Sequence, residues 1–437
     1  MYQVMFFGRL SAPFFHKLIF GLLGLGAFCS AAHACESVRT PAEFLQCVLQ
    51  RKPEIISARA EAESATDLKQ QSGRWINPEI ESEHLFGKTL GDVQYEHQIG
   101  LLQTFELGGK RGARIAAAEA RENKATADRD AQIGEELSDA LGELLQAAQL
   151  REELAAVNSA INAYQRMLST LRRRSVLSVE QRSTLQLFQS NFETLEDTQA
   201  SLLSEQKILL ATLATDLPGV KVDWAALARI TVADWPEISK DLLNSVPTKN
   251  PTLRRLNALN ELAFAEYESA SAEAWPDLKL GPTIRFSGEG PIHSQAYGLG
   301  VSISLPIWDA RGPLKRATHR LIEASRITLE AKHTQEQLLI QEKSDSYRAL
   351  RERILDRSAR ESFEHYIDSV ESQYARGLLG PAHVIEAYRQ RIEGLRSRFQ
   401  VERTALSLLL NVWTSLGDLP DPAIKWAQSS WREVSNK

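Results

Sequence analysis

The 437-residue chain is long enough for two or three ordinary domains, but aromatics make up only 7% of it and charged residues 24%. Long stretches rich in Ala, Leu, Glu, Gln and Arg favour long helices packed side by side over compact cores. The formal charge of −5 is too mild for a nucleic-acid partner, and no Lys/Arg stripe runs along the chain. Catalysis and cofactor binding find no support either: there is no phosphate-cradling glycine loop, no Gly-x-Ser-x-Gly elbow, and no His/Cys cluster at metal-ligand spacing.

Residues 1–34 are expected to be a secretory leader. Arg9 and Lys17 precede an apolar run from Leu18 to Phe28, and Ala32-His33-Ala34 supplies the small-residue cleavage pattern. Removing it leaves 49 basic against 56 acidic residues, a charge of −7. Cys29 leaves with the leader. Cys35 and Cys47 then form an even pair in an oxidising compartment, where a disulfide is expected, with a lipidated Cys35 as the alternative. After residue 34 no apolar stretch approaches the ~20 residues of a membrane helix, so any membrane crossing must use strands.

The remainder reads as a duplication. Pro53 and Pro78 are spaced as Pro251 and Pro276 are, Asn77-Pro78-Glu79-Ile80 matches Trp275-Pro276-Asp277-Leu278, and Arg111-Gly112 matches Arg311-Gly312. Each copy holds a helix (Ala42–Gly73; Ile238–Ala274), a β-hairpin, and two long helices joined by a turn. The expected divisions are an N-terminal helix over 35–76, a hairpin over 77–106 and a helical hairpin over 107–213. The second copy has a connector and helix over 214–274, a hairpin over 275–306, a helical hairpin over 307–413, and a tail over 414–437.

Strand character is clearest where Tyr297, Leu299, Val301, Ile303 and Leu305 alternate with Gly and Ser, and where Leu278, Leu280, Ile284 and Phe286 alternate with Lys279, Gly281, Thr283 and Arg285. Each run has the ~10 residues that a tilted strand needs to cross a bilayer. Period alone also fits a half-buried soluble sheet. In the helices, Leu154, Val157, Ile161, Tyr164, Leu168 and Leu171 keep a coiled-coil spacing, answered by Leu185, Phe188, Phe192 and Leu195. The second copy runs from Leu314 to Arg376 and returns from His383 to Trp413. Rods of sixty residues would reach about 90 Å. Four strands cannot close a barrel, since about eight is the minimum, so the missing strands must come from other copies of the chain. Three copies give a twelve-stranded barrel continuous with a tube of helices.

The chain resembles the TolC-like outer-membrane efflux family over residues 40–414. The motif Gln103-Thr-Phe-Glu-Leu-Gly-Gly-Lys-Arg111 is similar to that of the CzcC-like branch, which serves heavy-metal pumps of the resistance-nodulation-division class. Gly108 and Gly109 permit the sharp strand-to-helix turn, and Lys110 and Arg111 are placed to meet anionic headgroups. The resemblance implies a mainly α protein with a membrane β-barrel, trimeric, in the outer membrane, with a periplasmic α-helical barrel whose tips dock a periplasmic adaptor and, through it, an inner-membrane pump. The tips would present Val176, Leu177 and Ser178 from one copy and Leu378, Leu379 and Gly380 from the other.

Where the family rings its tunnel mouth with acids, this chain has His383 and Glu386, expected to pair one turn apart, and Tyr374 matches a gating tyrosine. Leu379 replaces the arginine expected near it, and the first copy carries Gln181 and Thr184 at the acidic positions. Metal cations are the first expectation for cargo, drugs or solvents and secreted polypeptides the alternatives. A soluble periplasmic coiled-coil adaptor is the rival of another class.

Overall fold

A computed structural model describes residues 35 and 37–433, apart from 90–91, 228–229, 233, 239–248, 359–362 and 418. The expected leader lies outside the described residues. In chain order the elements are β1 (Ser37–Val38), α1 (Pro41–Arg51), α2 (Pro53–Ser72), β2 (Glu79–Thr89), β3 (Asp92–Glu106), α3 (Lys110–Arg172) and α4 (Val179–Asp216). They continue through β4 (Lys221–Val222), α5 (Trp224–Leu227), β5 (Ile230–Val232), α6 (Pro251–Ala272), β6 (Asp277–Glu289), β7 (Ile292–Ile303) and α7 (Gly312–Ser358). The last are α8 (Phe363–Ala375), α9 (Pro381–Leu416), α10 (Asp421–Ser429) and β8 (Trp431–Glu433).

Two expected helices differ from this. The single helix expected over Ala42–Gly73 is broken at Lys52, because Pro53 starts a new helix and has no N–H to continue the old one. The rod expected over Leu314–Arg376 appears as α7 and α8, on either side of residues outside the description. Helix starts follow local chemistry. Thr40 with Glu43, and Ser178 with Gln181, form reciprocal capping boxes, while Asn250 caps α6 ahead of Pro251.

The 63-residue α3 spans about 95 Å. Its partners are composite: α4, of 38 residues, packs along it, and so does the 20-residue α2. In the other half α9 packs on both α7 and α8, and the 22-residue α6 packs on α7. A long core joins Phe44 and Leu45 of α1, Leu137, Leu141 and Val157 of α3, Leu213 of α4, Leu409 of α9 and Trp426 of α10. A separate core near the turns gathers Tyr164, Leu168, Phe188, Val370, Val384 and Tyr388. Cys35 and Cys47 are joined by a disulfide with a Cα–Cα distance of 5.6 Å, so the Cys35 sulfur is engaged.

The four long strands form one antiparallel sheet in the order β2-β3-β6-β7, and among the described residues no helix packs extensively across it. The register puts Ile80 opposite Leu101, Ile99 opposite Ile284, Ile284 opposite Tyr297, and Leu278 between Phe105 and Ile303. These share one face. Ile80, Tyr297 and Leu299 on it are 77%, 77% and 76% exposed. The opposite face carries Glu79, Glu81, Glu83, Glu96, Lys279 and Arg285, with Lys279 at 2.6 Å from Glu79 and Arg285 at 3.0 Å from Glu96. A half-buried soluble sheet would turn its apolar face to a core, and this one turns it outward. The β3–β6 pairing lapses opposite Gly281–Pro282 and resumes in the same register. Pro282 has no N–H to donate, and a Cβ on Gly281 would sit 1.9 Å from the Leu101 carbonyl oxygen.

A buried ionic brace ties the helices together. Lys52 Nζ lies 2.7 Å from Glu136 and 3.1 Å from Asp216, linking the α1–α2 break to α3 and the end of α4. Burial lowers the Lys52 ammonium, but hydrogen bonds to Glu136 and Asp216 outweigh it and hold it above its usual range. Burial first, and then the Asp216 charge, push Glu143 up to about 7. Burial also raises Asp139. Glu143 Oε2 and Asp216 Oδ2 are both buried with no donor, so a proton on Glu143 supplies the missing hydrogen bond between the two carboxyls.

Because Glu143 is raised in the folded state, its contribution is full below the ordinary carboxylate range and is lost as pH rises towards about 7. The thermal midpoint of detergent-solubilised protein should therefore fall across that window. Glu143→Gln should flatten the fall and exceed wild type at pH 8; a variant less stable than wild type at pH 8 would remove the shared proton from the account.

Candidate functional site

Two places on the fold carry the residues singled out in the sequence, the strand-to-helix joint and the tip. At the joint, Gly108 and Gly109 take φ of 66° and 78°, the left-handed region that turns β3 into α3. Gly108 is required twice over, because a Cβ there would lie 2.2 Å from the Trp275 ring. Lys110 and Arg111, expected to meet lipid headgroups, are instead engaged within the protein. Lys110 Nζ pairs with Asp277 Oδ1 at 2.7 Å, fastening the start of α3 to the start of β6. Arg111 donates through Nε and Nη2 to the Gly73 carbonyl at 3.1 and 2.6 Å and lies over the Trp75 ring at 5.1 Å. Arg114 donates to the Ser72 and Arg74 carbonyls, so two guanidinium groups satisfy the orphan acceptors at the end of α2.

Sequence reasoning missed the aromatic collar around this joint. Trp75 meets Phe105 edge-on at 6.2 Å, Trp275 packs beside Gly108, and Trp308 is 97% exposed. The available signal was Trp275-Pro276 beside the Trp75-Ile-Asn-Pro78 segment.

At the tip, α3 ends at Arg172 and α4 begins after Ser178, leaving Val176 83% exposed, Leu177 half-buried, and Ser178 engaged as the cap of α4. The second tip turns at Gly377, whose φ is 75°, with Leu378 N–H donating to the Gln373 carbonyl. Leu378 is 69% exposed, whereas Leu379 packs inward on the tip core. Of the two leucines expected at the tip, Leu378 is thus exposed and Leu379 is packed inward. Gly380 caps α9 in extended conformation, ahead of Pro381.

Tyr374 is half-buried, edge-on to Phe188 at 5.8 Å, and burial raises its phenol. The expected pairing of Glu386 with His383 is replaced. Glu386 Oε2 accepts from Arg389 Nη2 at 2.6 Å, and its Oε1 accepts from Gln390 at 2.8 Å. The Gln390 and Arg389 hydrogen bonds hold the Glu386 carboxyl below its usual range. His383 lies exposed one turn earlier. A further polar chain unseen in the sequence runs from the Tyr388 hydroxyl to Glu371 at 2.5 Å and on to Arg166 at 3.4 Å, and it clamps α9 to α8 and α3 beneath the tip.

Among the described residues no helix is long and apolar enough to cross a membrane, and no group of three or more His, Cys, Asp or Glu is placed to hold a metal ion.

No protein-family model matches the chain. Among curated proteins it is 26% identical over 304 residues to the nickel and cobalt resistance protein CnrC of Cupriavidus metallidurans, covering 67% of this chain and 70% of that protein. It is 24% identical over 322 residues to the nickel-cobalt-cadmium resistance protein NccC of Alcaligenes xylosoxydans xylosoxydans, covering 69% of each. Among solved structures its fold is similar to that of the outer-membrane channel OprN, with a TM-score of 0.67 at 16% identity over 89% of this chain and 90% of that one. The chain is thus similar in sequence to two heavy-metal resistance proteins and has the fold of an outer-membrane efflux channel.

Proposed function

We propose that three copies of the chain form an outer-membrane duct of a tripartite efflux system, and that the duct passes metal cations outward. An inner-membrane resistance-nodulation-division pump would supply the ions through a periplasmic adaptor. The observation that carries this reading is the four-stranded sheet with its apolar face outward and both edges, β2 and β7, unpaired among the described residues. Such a sheet suits lipid once further copies close it, and the face bearing Glu79, Glu81 and Glu83 then lines the lumen. Exposed Leu314, Leu321, Ile327 and Leu338 along α7 fit contacts between copies in the helical tube. In this reading the collar of tryptophans marks the inner membrane interface, the helices stand in the periplasm, and the internal duplication makes three chains act as six similar units. The nickel and cobalt resistance named for the relatives favours metal cations over drugs or polypeptides as cargo. Nothing in the proposal requires catalysis or a cofactor.

The tips are the docking surface in this proposal, with Val176 and Leu378 as apolar contacts. Leu378→Asp should abolish metal resistance in cells while the protein still reaches the outer membrane in its wild-type assembly. Leu379→Asp, which charges the tip core, should instead lower the amount of folded protein. Full resistance with Leu378→Asp would displace docking from the tip.

At the mouth, Glu386 is proposed to line the constriction with its charge partly balanced by Arg389. In planar bilayers Glu386→Gln should weaken block by multivalent cations from the tip side, and Arg389→Gln should strengthen it. Equal block in both variants would place the constriction elsewhere.

A further inference from the structure

The sequence scatters nine histidines, and the fold brings two of them into direct contact. His84 of β2 and His97 of β3 face each other in the antiparallel register, with Nδ1 to Nδ1 at 2.6 Å and ring centroids 4.8 Å apart. Phe86 meets His97 edge-on at 5.4 Å, and the ring of Tyr95, its partner in the adjacent row, lies 5.3 Å from His97. His293 of β7 is a near neighbour but is turned to another partner, its Nδ1 lying 2.9 Å from the Tyr95 hydroxyl.

Two imidazole nitrogens at hydrogen-bond distance share a single proton, so one of them presents a lone pair to the other. Replacing that proton by a divalent ion turns both nitrogens into ligands. Metal–imidazole bonds of about 2.0–2.1 Å hold two adjacent ligand nitrogens about 3 Å apart. The rings need open by only a few tenths of an ångström, and His84 stands exposed at the sheet surface, while the paired rows on either side, Glu83 with Gln98 and Leu85 with Glu96, keep the backbone in place.

We propose that His84 and His97 form a two-histidine chelate for a late first-row divalent cation, with water filling the remaining positions. Imidazole donors select the upper end of the affinity series, so Cu²⁺ should bind more tightly than Ni²⁺, and Ni²⁺ more tightly than Co²⁺. Bound there, the ion staples β2 to β3 on the apolar face. The flanking aromatic rings of Phe86, Tyr95 and Phe286 place the pair at the outer membrane interface on the barrel reading above, whereas ion binding itself needs only the hairpin.

The test uses the full mature chain, without added histidines, in detergent and stripped with chelator. Equilibrium dialysis against CuCl₂ and NiCl₂ should give one Cu²⁺ per chain and weaker Ni²⁺ binding. The Cu²⁺ electron paramagnetic resonance spectrum should show coupling to two nitrogens. His84→Ala and His97→Ala should each weaken binding on the order of tenfold or more and remove one nitrogen from the spectrum, because a chelate loses its second bond. His293→Ala should leave both unchanged. His84→Asn and His97→Asn give the same deletion with a polar side chain, should an alanine variant fail to fold. Wild-type affinity and an unchanged spectrum in the His84 and His97 variants would overturn the proposal.

Discussion

Among the described residues, the backbone groups along the outer edges of β2 and β7 have no partner strand within one chain. In water such edges are tolerated; in hydrocarbon each unpaired N–H or C=O costs several kcal/mol, far more than any side-chain contact on the sheet returns. That constraint orders the rest of the molecule. It explains why the sheet presents Ile80, Tyr297, Leu299 and Val301 outward and collects its carboxylates on the other face. Glycines and serines alternate with the apolar residues of β7, so small side chains stand where copies of the sheet would curve together.

Below the sheet the problem becomes one of length. A rod of about 95 Å needs a partner along its whole side, and α4 is too short to provide one. The fold solves this with composite neighbours, using α2 beside one part of α3 and α4 beside another. Where the chain leaves α1 for α2, Lys52 is driven into the interior against Glu136 and Asp216. The three-way ion pair braces the level at which the short helices end. The excess of carboxylates there, with Glu143 raised to about 7, makes the brace sensitive to proton concentration near neutrality.

Features encoded by local pattern were legible in the sequence. The strict alternation from Tyr297 to Ile303, the Leu154–Leu171 seam and the Gly108-Gly109 joint each follow from one segment's own chemistry. What escaped depends on partners far along the chain. Lys110 and Arg111 look like free cations until Asp277 and the Gly73 carbonyl arrive beside them. His383 and Glu386 have the spacing to pair, yet Arg389 has the same spacing on the other side and makes the stronger, two-nitrogen contact. The break at Pro53 was visible as a proline but was read through, because the apolar periodicity continues across it.

The account stands on closure of the sheet by other copies of the same chain, so the number of chains in the assembly is its most direct test. Native mass spectrometry of the detergent-solubilised protein should give a mass near three chains, and that species should be lost when detergent is removed. A monodisperse single chain that remains soluble without detergent would contradict it.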